Sequence, residues 1–112
     1  MGLSADACNN MNTMADATHA TVTTLRRDPS KAAEQKQALQ QMVERGGPDF
    51  PGFVSGLWIR DPAASETVLV FTFDSLEAAE AYMDTVRNRS ARQAAHGLEL
   101  LSVRVYGILH AV

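Results

Sequence analysis

Two stretches decide the fold: Phe53-Val54-Ser55-Gly56-Leu57-Trp58-Ile59 and Val68-Leu69-Val70-Phe71-Thr72-Phe73. Alternate residues of the first fall into one set of Phe53, Leu57 and Ile59 and another of Val54 and Trp58, while the second stretch is apolar on both sets. Side chains of a strand alternate between faces, so strands of this kind cannot leave either face in water. The sheet they form must be covered twice. With 112 residues, of which 46% are apolar and 21% charged, the chain makes one globular domain with one core. It is too short to supply helices to both faces, so the second cover is expected to be another copy of the chain.

Outward from these strands the elements follow in order. Pro51-Gly52 opens the strand predicted over Phe53 to Arg60, and the hairpin-length run Asp61-Pro62-Ala63-Ala64-Ser65 turns it into an antiparallel strand over Glu66 to Phe73. Asp74-Ser75-Leu76-Glu77 has the spacing of a capping box with Asp74 as N-cap. Leu76, Ala79, Tyr82, Met83 and Val86 then recur at helical spacing to about Asn88, with Arg89 to His96 as an extension or a bent second segment. Gly97 stops it, and Leu98 to Leu109 reads as a last strand with Leu101, Val103 and Val105 on one face and Leu100, Tyr106 and Ile108 on the other.

Upstream, the β-branched run Thr18 to Leu25 predicts a first strand. A helix follows from Ser30, its expected N-cap, to about Arg45; Ala32, Gln35, Leu39, Met42 and Val43 form a thin stripe, and Gly46-Gly47-Pro48 ends it. Residues 1–17 show neither a helical nor a strand period and are expected to be a disordered tail, leaving 18–112 as a single domain. The order strand, helix, strand, strand, helix, strand is the ferredoxin-like α+β arrangement, with an antiparallel sheet and two helices on one face. The other face is apolar and bare, so two chains are expected to pair into a dimeric α+β barrel.

Composition excludes several functions. A net charge of −3 with Arg26-Arg27 as the only adjacent basic pair speaks against nucleic acid. No apolar stretch reaches the roughly 20 residues of a membrane span, and a cytoplasmic protein is expected. The single cysteine, Cys8, cannot form an intrachain disulfide. His19, His96 and His110 lack the spacing of metal ligands, and neither a metal nor another cofactor is expected. No phosphate loop or nucleophilic triad can be assembled.

The run Pro51 to Gly56, then Arg60-Asp61, Val68 to Phe73, and Asp74-Ser75-Leu76-Glu77-Ala78-Ala79-Glu80-Ala81-Tyr82 resembles the antibiotic-biosynthesis-monooxygenase-like family of dimeric α+β barrels, over Thr18 to Val112. The resemblance implies a pocket between sheet and helices, used in active members for aromatic polyketides, quinols or haem. Many members carry a tryptophan where this chain has Phe73. Haem-degrading members also use a strand-one asparagine and a helix-two histidine; this chain has a threonine-rich first strand, and only His96 is approximately placed.

Cofactor-free oxygenation of a phenol requires stabilising the substrate anion, which polar groups in an apolar pocket can do. Trp58, Arg60 and His96 are the candidate catalytic residues. Ser55, Phe71, Phe73, Tyr82 and Tyr106 are the candidate substrate-binding residues, and His19 and Arg87 are further polar positions able to point inward. Two functions follow: a cofactor-independent monooxygenase of an aromatic or quinol-like molecule, or a non-catalytic dimeric ligand-binding or structural barrel. Room in the pocket and convergent polar groups distinguish them.

Overall fold

The computed structural model describes residues 16–61, 65–95 and 97–111. The expected tail, save its last two residues, lies outside them. Strand β1 (His19–Arg27) leads through a 3-10 turn (Pro29–Lys31) to helix α1 (Ala32–Glu44); β2 (Phe53–Asp61) and β3 (Glu66–Phe73) follow, then helices α2 (Leu76–Asn88) and α3 (Ser90–Ala95) and strand β4 (Leu98–Gly107). The strands form one antiparallel sheet in the order β2-β3-β1-β4. This is the expected ferredoxin-like α+β fold.

Helix α2 seals one face. Ala79, Tyr82 and Val86, one helical stripe, meet Phe71 and Phe73 of β3 and Val103 of β4 to form the core. Leu76 in its first turn stays 46% exposed. Ser75, in extended conformation, accepts a bond from Ala78 N at 3.1 Å and caps the helix, one residue later than the expected Asp74. The backbone N–H of Asp74 is already donated to Gly52 O at 2.9 Å, tying the residue to the start of β2. A similar shift occurs before α1. Asp28, not Ser30, caps the chain reversal: its carboxylate accepts from Ser30 N at 2.9 Å and Ser30 Oγ at 2.8 Å, and these bonds hold its pKa below the ordinary carboxylate value.

Helix α1 buries no residue and makes its main contacts with the 3-10 turn before it. Its apolar stripe is too thin to hold it to the sheet along its length. Its end is well defined, because Gly46 N bonds Val43 O and Gly47 N bonds Met42 O, each at 3.0 Å, a Schellman motif with both glycines at positive φ.

Two bulges revise the expected alternation. Between Thr24 and Leu25 the β1–β4 register slips, so Thr24 faces Ser102 and Leu25 faces Leu100. Leu100 therefore joins the core side with Val103 and Val105, and Leu101 is 36% exposed. Between Phe53 and Ser55 a second slip puts Phe53 with Trp58 on the core side, apart from Leu57 and Ile59. An extra residue in one strand exchanges the faces beyond it, which strict alternation cannot anticipate.

The face away from α2 carries Val22 of β1, Val68 and Val70 of β3, Leu57 and Ile59 of β2 and Tyr106 of β4. Leu57, Ile59 and Tyr106 are 56%, 47% and 48% exposed, so among the described residues this apolar face is left without a full cover.

Candidate functional site

On the helix side of β2, a shallow cleft of about 300 Å³ opens between the end of α1, at Val43, Gly46 and Gly47, and the strand residues Phe53, Val54, Ser55, Gly56 and Trp58. It exists because α1 stands off the sheet while the Schellman turn brings the glycines back over Phe53. A larger groove of about 470 Å³ runs beside α1, but a single helix lines it (Lys36, Leu39, Gln40, Val43 and Glu44), so no facing element supplies convergent groups.

Behind the cleft lies an aromatic cluster. Trp58 packs on Phe71 at 5.2 Å between ring centroids and 69° between planes. Phe71 meets Phe53 edge-on at 5.4 Å and Tyr82 at 5.3 Å; Tyr82 also meets Phe73 at 5.4 Å and Phe50 at 4.9 Å. Edge and tilted contacts at these separations suit the ring quadrupoles and hold the rings in fixed places.

The structure thus brings together four of the residues expected at the site, Trp58, Phe71, Phe73 and Tyr82. Only Trp58 lines the cleft; Phe71, Phe73 and Tyr82 are buried behind it. Ser55 also borders the cleft, but its hydroxyl, 2.6 Å from Thr72 Oγ1, is turned to the opposite, open face of the sheet. Arg60 is exposed near the end of β2, across from Thr67. Tyr106 lies on the opposite, open face, paired with Ala20, and so is apart from the cleft. His96 lies outside the described residues. Of the further polar positions, His19 begins β1 with Nδ1 2.8 Å from Thr18 Oγ1, and Arg87 is exposed on α2.

Burial pushes the Tyr82 phenol up to about 12. The Thr23 hydroxyl nearby opposes that rise slightly, but the two oxygens do not reach hydrogen-bond geometry, and Thr23 Oγ1 and Thr21 Oγ1 are buried without a partner among the described residues. Tyr82 is therefore a neutral phenol at physiological pH. No three His, Cys, Asp or Glu side chains come together among the described residues as a metal site would need, and no described helix is long and apolar enough to cross a membrane.

Phe50, Val43, Gly46 and Gly47 were not legible as parts of the site. The glycines read as a helix stop, and only the fold returns that stop to β2. Phe50 precedes the strand in a loop with no periodicity.

No family model matches the chain, and no curated protein matches it. Solved structures do. An antibiotic-biosynthesis-monooxygenase-like protein of Deinococcus radiodurans matches with a TM-score of 0.62 at 16% identity, over 84% of this chain and 95% of that one. A monooxygenase of Streptomyces coelicolor in complex with nanaomycin D matches at 0.59 and 17%, over 87% and 92%. A haem degrader of Mycobacterium tuberculosis with two haems in its active site matches at 0.55 and 15%, over 84% and 98%. At these identities the likeness is one of fold, and it is a likeness over nearly the whole domain. The chain has the fold of the antibiotic-biosynthesis-monooxygenase-like proteins.

Proposed function

We propose that the protein is a cofactor-independent monooxygenase acting on an aromatic or quinol-like small molecule in the cleft between β2 and α1. The observation that carries this is the wall formed by Trp58, fixed from behind by Phe71 and open to a cleft of about 300 Å³, in a fold shared with monooxygenases. A planar ring laid against the indole gains apolar burial and ring contact together. Trp58 is the platform. Arg60 and His96 are the groups assigned to steady a substrate anion, while Phe71, Phe73 and Tyr82 support the wall. In an anthrone-like substrate the ring methylene would become a carbonyl, one atom of dioxygen remaining on carbon and the other leaving as water with the two ring hydrogens.

The working unit is a homodimer joined through the bare sheet face. The exposed Leu57, Ile59 and Tyr106 lie on that face beside Val22, Val68 and Val70, and the helices lie on the other. Obligate interfaces are apolar in this way.

A second function, non-catalytic binding of the same class of molecule, is favoured by one observation: among the described residues the cleft lining carries no titratable side chain. Oxygen uptake against a panel of hydroquinones and anthrones, with and without added metal or flavin, separates the two. Substrate-dependent uptake by the purified protein alone supports the oxygenase. Saturable binding without uptake supports the binding protein, and neither binding nor uptake rejects the cleft as a site for these ligands.

A further inference from the structure

We propose that Gly56 determines which ligands the cleft admits, by letting the Trp58 indole lie back against Phe71, and that the admitted ligand is an uncharged planar molecule of about two fused rings. The proposal rests on the assignment of the cleft as the ligand site and adds the residue that sets its depth.

Gly56 sits on the core side of β2 directly across from Phe71. A β-carbon built on it would lie 3.0 Å from Phe71 Cδ1 and Cε1 and 3.1 Å from Trp58 Cη2. Both rings therefore occupy space that any other residue would claim. A glycine inside a strand weakens it and is most easily explained where something must approach the backbone closely. Here two rings do.

The two rings would not yield equally to a methyl group. Phe71 is 2% exposed and is wedged among Phe53, Trp58 and Tyr82, so it has little room to retreat. Trp58 is only half-buried and borders the cleft, so its indole has free space on one side. A side chain at position 56 would push the indole outward into the volume a ligand needs. Gly56 is not at a positive φ, so the effect of alanine is steric and not a matter of backbone strain.

The class of ligand follows from the same lining. A volume of about 300 Å³ is at the small end for ligand pockets, which span roughly 300–1,000 Å³. The walls offer apolar side chains and backbone, since the Ser55 hydroxyl is turned to the opposite face of the sheet, where it meets Thr72. A charged group seated against these walls would lose hydration without gaining a counter-ion from the described lining.

Trp58 is the only tryptophan of the chain, so its fluorescence reports on the cleft directly. The probes are 2,3-dimethyl-1,4-naphthoquinone, which is uncharged and blocked against thiol addition, and its analogue with a propionate in place of one methyl. The unmodified protein should show saturable quenching by the first and binding at least about tenfold weaker for the second, with free tryptophan as the control for collisional quenching. Gly56→Ala should keep its circular dichroism and bind the dimethyl compound about tenfold more weakly. Trp58→Phe removes the colliding atom Cη2, so Gly56→Ala/Trp58→Phe should bind the dimethyl compound, by equilibrium dialysis, as tightly as Trp58→Phe alone, both lacking the indole platform. If Gly56→Ala alone does not fold, recovery of folding in the double variant places the clash at the indole, and its failure places it at Phe71. Equal binding by the unmodified protein and a folded Gly56→Ala, a double variant that fails to fold or binds more weakly than Trp58→Phe alone, or equal affinity for the charged analogue would overturn the proposal while leaving the cleft as the site. Absence of saturable quenching in the unmodified protein would remove the site itself.

Discussion

Leu57→Asp tests the face-to-face dimer most directly, because its cost in the single chain and in the pair differ widely. Leu57 is 56% exposed, lies across from Val70 and faces away from α2. In an isolated chain its replacement should cost no more than about 0.5 kcal/mol, the ordinary range for surface positions. Within a dimer that covers this face, the leucine would bury its remaining half, about 1 kcal/mol of transfer energy. An isologous interface counts that loss at two symmetric sites. Two carboxylates stranded in an apolar interface would add several kcal/mol more. A total of about 4 kcal/mol corresponds to roughly a thousandfold weaker association, at 1.4 kcal/mol per tenfold. Light scattering and sedimentation equilibrium over a range of protein concentrations would measure it. Leu69→Asp is the contrast: one residue along from Val70, it points to the core side across from Trp58 and Thr23, and should unfold the chain instead of separating it. A monomeric unmodified protein at micromolar concentration would refute the dimer, and a Leu57→Asp protein that associates as tightly as the original would refute this face as its interface.

Other expectations concern stability. Ser75→Ala should lower it by about 1 kcal/mol through loss of the bond to Ala78 N, seen as a shift in the urea midpoint, with a smaller effect for Asp74→Ala. Gly52→Ala combines a φ of +79° with a β-carbon 2.6 Å from both Ala78 Cβ and Asp74 Oδ1; strain and overpacking together should cost more than about 2 kcal/mol, and an unchanged midpoint would show that the β2–α2 junction is not held as described. Tyr82 titrates near 12 folded and near 10 unfolded. Below pH 10 the group adds no pH dependence, and between 10 and 12 the unfolded chain ionises first, so on the order of 2 to 3 kcal/mol of stability should disappear over that window; the loss should be absent in Tyr82→Phe.

What was legible in the residues was the part governed by local chemistry and by apolar content. β3 spans Glu66–Phe73 as expected, because both of its faces are apolar and a turn and a helix cap bound it. α2 follows from Ala79, Tyr82 and Val86 at helical spacing. Missing were features that depend on a partner far along the chain. Nothing around Leu100 and Leu101 marks a bulge, since the bulge is a property of their pairing with Thr24 and Leu25. Asp74 and Ser75 are both good caps, and the choice falls to Ser75 once Gly52 O takes the Asp74 N–H. The same limit applies to the site. Trp58 could be singled out as a large ring on a half-buried strand, but the cleft before it needs the Gly46-Gly47 turn to return over Phe53. Tyr106 could be placed on its face from alternation, and that face proved to be the one remote from the cleft.

The cleft separates two requirements that an oxygenase must satisfy together. Binding a flat, uncharged ring needs an apolar wall with fixed position, and Trp58 on Phe71 meets that need. Activating the ring toward dioxygen needs a proton to leave, and none of the described lining residues can accept one. Tyr82 lies behind the wall as a neutral phenol, whose conjugate base is not populated at physiological pH. With the described lining alone, acceleration would come from the acidity of the substrate itself, helped by solvent reaching an open cleft. A hydroquinone or anthrone-like ring is acidic enough to make that division of labour workable, whereas an unactivated arene is not. The cleft chemistry would thus limit the proposed oxygenase activity to electron-rich, readily ionised aromatic substrates, and an inert ring bound at the same wall would remain a ligand.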